Sequence, residues 1–99
     1  MVTVTRSGSI AQGKTADALA FASLITKLIK DKHGITIQWL VPVGGNPNRI
    51  AFTSNYESLA AWETLSSKLW ADADYMAAVT ANASVFLPGS IHDDIWRTL

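Results

Sequence analysis

Apolar and polar positions alternate at the start of the chain and then change to a helical period. Residues 2–7 alternate apolar side chains with β-branched and polar ones, which predicts a half-buried strand. From residue 16 to residue 33 the apolar positions recur at helical spacing, and the predicted inner face carries Ala18, Phe21, Ala22, Ile25, Leu28 and Ile29. Thr15 is the expected N-cap of this helix and Gly34 marks its end.

The middle of the chain predicts a hairpin and a second helix. Alternation over residues 35–43 indicates strand two, a Gly-rich and Asn-rich turn follows, and residues 49–53 resume the alternation as strand three. Ser54 and Glu57 form a capping-box pattern ahead of the second helix. The predicted inner positions of that helix are Leu59, Trp62, Ser66, Leu69 and Trp70.

The last third of the chain predicts a short helix and a final strand. Asp72 is the expected cap of a helix that runs to Asn82 and turns Tyr75, Met76 and Val79 inward. Pro88 and Gly89 break the chain, and residues 91–99 alternate as strand four, although neither row of that strand is purely apolar.

The order strand, helix, strand, strand, helix, strand predicts an α+β, ferredoxin-like βαββαβ fold in a single domain, residues 1–99. Such a fold has a four-stranded antiparallel sheet with its helices on one face. The uncovered face is expected to carry Thr3, Thr5, Ser7, Thr36, Gln38, Leu40, Ala51 and Trp96. This half-polar face suits either water or the sheet of a partner.

Charge and composition narrow the classes of function. The formal net charge is zero, which argues against nucleic acid as a partner. No Cys is present, so disulfides and thiolate chemistry are excluded. No apolar stretch approaches the roughly 20 residues of a membrane span, and no export signal is visible, so we expect a cytoplasmic protein that does not contact membranes. Only 16% of the residues are charged, which favours association with a second copy.

Residues 8–15 match the phosphate-binding pattern G-x-x-x-x-G-K-[ST]. In a nucleotide site, Lys14 would contact the phosphates and Thr15 would hold magnesium. However, no acidic residue ends a second apolar strand, and a hairpin fold lacks the parallel sheet that carries such loops. We therefore interpret the segment as a flexible loop that leads into a capped helix.

The two histidines offer little metal or acid–base chemistry. Neither His33 nor His92 lies at a metal-ligand spacing from another ligand, so no metal is expected. His33 suits the end of a helix, where it complements the dipole. His92 and Asp94 share one side of the last strand, which favours a surface or interface role over a catalytic one.

Aromatic residues are the most informative side chains for a site. Trp39, Trp62 and Trp70 are expected to approach one interior together with Phe21, Phe52, Tyr75 and Phe86. This set forms either an ordinary aromatic core or the wall of a pocket for a planar apolar molecule.

Arg6 and Asp93 interrupt apolar rows of strands one and four. These strands are neighbours in the expected topology, so we predict a cross-strand ion pair between the two residues. The alternative is that Arg6 orients an anion at the mouth of a pocket.

Several short segments resemble the dimeric α+β barrel superfamily, especially its NIPSNAP-like and antibiotic-biosynthesis-monooxygenase-like members. They are Gly13-Lys14, residues 56–62 (YESLAAW), Tyr75, and Pro88-Gly89-Ser90. The resemblance implies a homodimer whose sheets pack face to face, with an apolar pocket between sheet and helices. Haem-degrading members carry a His in the second helical region, whereas residues 75–79 have none, so no haem and no other cofactor is expected.

The sequence therefore predicts a homodimeric barrel protein that binds a small apolar or aromatic molecule. The alternatives are a cofactor-independent monooxygenase that acts on an aromatic substrate, and a dimerisation module without a ligand. The candidate pocket residues are Arg6, Trp39, Phe52, Trp62, Trp70, Tyr75 and Phe86.

Overall fold

The computed structural model describes all 99 residues of the chain, Met1–Leu99. In chain order its elements are β1 (Val2–Ser9), α1 (Thr15–His33), β2 (Gln38–Leu40), β3 (Arg49–Tyr56), α2 (Leu59–Trp70), α3 (Ala73–Ala81), a 3₁₀ turn (Ala83–Val85) and β4 (His92–Arg97). The four strands form one sheet in the order β2-β3-β1-β4, and every pairing is antiparallel. The predicted α+β, ferredoxin-like βαββαβ fold is confirmed.

The helices cover one face of the sheet. Ile10 and Ile50 pack against Ala18 and Ala22 of α1 in one buried cluster. In a second cluster, the apolar side chains of β1 pack with Tyr56 and with Leu65 of α2. Because these strand residues lie two apart along β1 and β3, they share one face. The opposite face is uncovered, and its paired residues include Thr3 with Trp96, Thr5 with Asp94, and Ser7 with His92.

Helix α1 matches its predicted pattern, except at its first residue. Five of the six expected inner residues are buried, and Leu28 is half-buried. Gly34 ends the helix in the left-handed region, at φ 72°. The prediction of Thr15 as N-cap was wrong: Lys14 holds the cap position, with no side-chain hydrogen bond, and Thr15 is the first helical residue. The cap is therefore made by backbone alone.

The hairpin differs from its sequence pattern in the lengths of its strands. Only Gln38–Leu40 of the expected residues 35–43 pair with β3, because Ile35 and Ile37 pack beneath α1 and Pro42 has no N–H to donate. Strand β3 instead continues past residue 53 to Tyr56. Strand β4 is likewise shorter than expected and covers His92–Arg97.

The start of α2 corrects the predicted capping box. Ser54 is a buried residue of β3, and the N-cap is Ser58, whose hydroxyl accepts a hydrogen bond from Ala61 N–H at 3.1 Å. The β3 pattern extends through the expected cap because its alternate side chains still face the helices. The helix buries Leu65, which the sequence pattern did not single out, whereas Trp70 is 74% exposed.

Helix α3 begins as predicted, at a cap formed by Asp72. The Asp72 carboxylate accepts hydrogen bonds from the backbone N–H groups of Asp74 and Tyr75 at 3.0 and 3.1 Å. The expected inner residues Tyr75, Met76 and Val79 are half-buried, and no residue of the helix is fully buried. None of the helices combines the length and apolar character that a membrane-crossing segment needs.

Candidate functional site

A cavity of about 590 Å³ lies between the helix-covered face of the sheet and helices α2 and α3. Its floor is formed by alternate residues of β1 and β3, and its walls by α1, α2, α3 and the segment after the 3₁₀ turn. Six of the seven residues predicted for a pocket line it: Arg6, Phe52, Trp62, Trp70, Tyr75 and Phe86. These residues therefore lie around one space, and some of their rings also pack against the buried clusters.

Trp39 is the predicted pocket residue that does not line the cavity. It pairs in register with Phe52, which places it on the same face of the sheet. However, β2 is a three-residue edge strand, and Trp39 is 39% exposed there. The edge position keeps its indole away from the space beneath α2 and α3.

The phenylalanines of the cavity wall pack edge to face. The Phe21 ring centroid lies 6.4 Å from that of Phe52 and 5.9 Å from that of Phe86, with interplanar angles of 83° and 75°. These arrangements are favoured by the ring quadrupoles. They fix three rings from α1, β3 and the segment before β4, so this side of the cavity is preformed.

Arg6 and Asp93 form the predicted cross-strand ion pair. The two residues are opposite each other in the β1–β4 register. Arg6 Nε donates to Asp93 Oδ1 at 2.7 Å, and Arg6 Nη2 donates to Asp93 Oδ2 at 2.8 Å. This two-point contact raises the pKa of Arg6 and lowers the pKa of Asp93. Arg6 lines the cavity, so the pair presents a fixed guanidinium to it.

A second polar group of the cavity comes from β3. Ser54 Oγ lies 2.9 Å from Tyr56 Oη, and both residues are buried and line the cavity. Burial raises the pKa of Tyr56, so its phenol stays protonated. Sequence reasoning missed this pair because it assigned Ser54 to a helix cap. The signal that could have found it is the i, i+2 spacing of Ser54 and Tyr56 in phase with Ile50 and Phe52.

Helix α3 is fixed over the cavity by an ionic network at its first turn. Asp72 Oδ1 accepts from Lys32 Nζ at 3.0 Å, and Asp72 Oδ2 lies 3.0 Å from His33 Nε2. Lys32 also contacts Asp74 at 2.7 Å. The hydrogen bond from Tyr75 N–H, together with Lys32, lowers the pKa of Asp72. His33 therefore complements the end of α1, as expected, and also joins α1 to α3.

Part of the backbone of the Gly8–Thr15 loop is already hydrogen-bonded to other segments. Ser9 N–H donates to Ser90 Oγ, Ile10 N–H to Asn48 O, and Ala11 N–H to Val85 O, at 2.8 to 3.1 Å. A phosphate cradle needs such N–H groups free. The loop is thus held by three other segments, and the prediction of a flexible loop is corrected accordingly.

His92 lies on the uncovered face, 3.2 Å from Asp94, and both side chains are largely exposed. No group of three or more His, Asp or Glu side chains in the molecule could hold a metal ion. His92 and Asp94 do not line the cavity. The polar groups that do line it are the Arg6 guanidinium and a small number of hydroxyl and amide groups.

No family model matches the sequence, and no curated protein matches it. Solved structures do match the fold. An uncharacterized NIPSNAP domain protein from Burkholderia xenovorans superposes with a TM-score of 0.84 at 15% identity, over 100% of this chain and 95% of that one.

Two further structures are described as proposed antibiotic biosynthesis monooxygenases. The one from Nitrosomonas europaea gives a TM-score of 0.76 at 14% identity, over 100% of this chain and 99% of that one. The one from Deinococcus radiodurans gives 0.74 at 14% identity, over 99% and 92%. Because identities this low establish a fold and not an activity, these structures show that the chain has the α+β fold that NIPSNAP-family and antibiotic-biosynthesis-monooxygenase structures share.

Proposed function

We propose that the protein is a homodimer that binds a small, mostly apolar aromatic molecule in the cavity of each subunit. The cavity itself carries this proposal. Its volume of about 590 Å³ lies within the range of about 300 to 1,000 Å³ that is common for ligand sites. Eighteen of its 26 lining residues are hydrophobic, and its polar groups are few.

The aromatic lining supports a flat ligand. Trp62 and Tyr75 come from different helices, and the Phe21–Phe52–Phe86 group forms a preformed wall. Ring faces and edges in such walls bind aromatic ligands through offset and edge-to-face contacts. A planar apolar molecule would bury this exposed aromatic surface without a rearrangement of the sheet.

Thermal unfolding in the presence of a panel of aromatic compounds tests ligand binding. A compound at 100 times its Kd stabilises the protein by about 2.7 kcal/mol, which raises the melting temperature. Ser66→Leu should fill part of the cavity and remove that increase, because Ser66 lines it. Ser67→Leu is the matched control, since Ser67 is exposed and outside the cavity. Equal increases in both variants would contradict binding in this cavity.

The uncovered sheet face supports the homodimer. Every residue of β4 is exposed, and the face carries two large apolar side chains, Trp96 at 64% and Leu40 at 47% exposure. Thr and Ser side chains occupy much of the remainder, which suits a sheet-to-sheet contact as well as water. Burial of Trp96 in a second copy would remove the largest apolar side chain of this face from water.

Light scattering after size exclusion measures the oligomeric state. A dimer has twice the chain mass of 10.7 kDa. Trp96→Lys should yield the monomer mass, because a buried unpaired charge is costly. Trp70→Lys should leave the dimer intact, since Trp70 is just as exposed but lies on α2. A concentration-independent monomer in the unmodified protein would contradict the dimer.

A cofactor-independent monooxygenase is the second candidate. Two structures that share the fold are described as proposed antibiotic biosynthesis monooxygenases, and Arg6, Trp62 and Tyr75 line the cavity where they would orient an aromatic substrate toward oxygen. Oxygen consumption with a panel of hydroquinone-like compounds tests this candidate, with the Ser66→Leu variant as control. Consumption that depends on an unfilled cavity would support the enzyme, whereas binding without consumption would favour the binding protein.

A dimerisation module without a ligand is the remaining alternative. It predicts the dimer mass together with no thermal shift for any compound of the panel. The cytoplasmic location also stays a prediction, and cell fractionation would test it.

A further inference from the structure

Arg6 has hydrogen-bond donors that no protein group uses. A guanidinium carries five N–H groups. One from Nε and one from Nη2 are directed to Asp93. The Tyr75 hydroxyl is a further hydrogen-bond partner of the guanidinium and contributes to the raised pKa of Arg6. With three of the five N–H groups used, two donors remain on a side chain that lines the cavity.

The Ser54–Tyr56 pair leaves one further donor. Two hydroxyl groups carry two protons, and the contact between Ser54 Oγ and Tyr56 Oη uses only one of them. Neither hydroxyl forms another side-chain hydrogen bond, although the residues are only 8% and 7% exposed. A buried hydroxyl proton without an acceptor is costly. The site gains free energy from a ligand atom that accepts it.

The charge balance of the site disfavours an anion. Arg6 is the only charged residue that lines the cavity, and the carboxylate of Asp93 already neutralises its charge. A carboxylate ligand would add a negative charge among mostly apolar residues, with no second cation to compensate it. An uncharged oxygen accepts the same hydrogen bonds without that cost.

We infer that the cavity selects apolar ring compounds that carry an uncharged acceptor oxygen, such as a ring-bound carbonyl, which Arg6 and the Ser54–Tyr56 pair bind. This inference rests on the proposed ligand-binding function and adds to it the chemical class of the ligand. The apolar ring system lies against the aromatic wall, and the acceptor oxygen faces the β1–β3 floor.

Three matched probes test the inference by equilibrium dialysis. Ethylnaphthalene has the shape of the ligand without an acceptor, acetylnaphthalene adds one carbonyl oxygen, and naphthoate carries a negative charge instead. The expected order of affinity is acetylnaphthalene, then ethylnaphthalene, then naphthoate. One net hydrogen bond corresponds to a preference of roughly twofold to tenfold for acetylnaphthalene over ethylnaphthalene.

The double variant Ser54→Ala, Tyr56→Phe locates the preference in the cavity. Removing only one hydroxyl would free the proton of the other, so both are removed while the ring at position 56 is retained. The double variant should reduce the preference for acetylnaphthalene and leave the affinity for ethylnaphthalene unchanged. Unchanged ethylnaphthalene affinity also shows that the variant folds. Ser66→Ala is the matched control, because it removes a hydroxyl from the α2 wall of the same cavity.

The outcomes separate a failure of the inference alone from a failure of the ligand-binding function on which it rests. Equal binding of acetylnaphthalene and ethylnaphthalene would overturn the acceptor inference while ligand binding stands. Tightest binding of naphthoate would replace the uncharged acceptor by an anion and also overturn it. Loss of the preference in Ser66→Ala, but not in the Ser54→Ala, Tyr56→Phe double variant, would refute the assigned position. Binding of no probe would contradict the inference and the proposed function together.

Discussion

Two parts of the layer between sheet and helices are built in opposite ways. At one end five buried residues pack together, and none of them lines the cavity: Ile10, Ala18, Ala22, Ile50 and Val85. At the other end, bulkier side chains surround about 590 Å³ of cavity. Small residues on α1 let Ile50 pack closely, whereas aromatic residues of the sheet, α2 and α3 line the space at the other end. The five-residue cluster is thus a part of the layer that contributes stability without bordering the cavity.

The three helices also differ in how many side chains they bury. Helix α1 buries five residues, α2 buries one, and α3 buries none. Helix α3 packs against α1 only through half-buried side chains, those of Tyr75, Ala78 and Val79. Its position above the cavity therefore also depends on its cap at Asp72 and on contacts with Lys32 and His33.

The largest effect is expected when the packed cluster loses volume. Ile50 is 1% exposed, so Ile50→Ala should lower the free energy of unfolding by about 2 to 5 kcal/mol. Val79→Ala on α3 removes a half-buried side chain from the cavity wall and should cost only about 1 kcal/mol. Urea unfolding of both variants measures the difference. Equal losses would show that the two ends are packed alike.

The reverse kind of substitution adds volume. It should give a smaller difference between the two ends in the free energy of unfolding. Ala22 is fully buried, so Ala22→Leu forces its neighbours apart and should cost about 1 to 3 kcal/mol. Ser66→Leu adds a larger side chain at a wall of the cavity and should change stability by less than about 1 kcal/mol. Urea unfolding again gives both values. A loss for Ser66→Leu as large as that for Ala22→Leu would mean that the cavity cannot accept the added volume.

The secondary structure elements and their pairing could be predicted from sequence much better than the cavity. The inner face of α1 follows from a regular 3.6-residue period, and the Arg6–Asp93 pair follows from strand order and register alone. Ser54 was misassigned because a local capping pattern competes with strand pairing, and only the partner strand β1 decides between them. Whether aromatic residues fill a core or surround a space depends on distances between helices, which no local pattern encodes.

The smallest effect is expected from the charge of Asp72, which holds α3 over the cavity. Its pKa is lowered in the folded protein, from an ordinary value of 3.8, by the Tyr75 N–H hydrogen bond and by Lys32. A group with a lowered folded pKa stabilises the protein above its unfolded pKa, and this contribution is lost as the pH falls through the folded pKa. Lys32 is 42% exposed, so solvent screens part of its attraction.

Asp72→Asn isolates that charge, because an Asn side chain can still accept the hydrogen bonds of the helix cap. The variant should be less stable than the unmodified protein near pH 5, and the gap should narrow toward about pH 3, where Asp72 of the unfolded chain is protonated. Asp74→Asn is the control: its carboxylate is 72% exposed and also contacts Lys32, so its effect should be smaller at both pH values. Urea unfolding at the two pH values measures these gaps. If the Asp72→Asn gap stayed constant, the Asp72 carboxylate would not be what holds α3 in place, and the cavity wall would depend on the neutral cap alone.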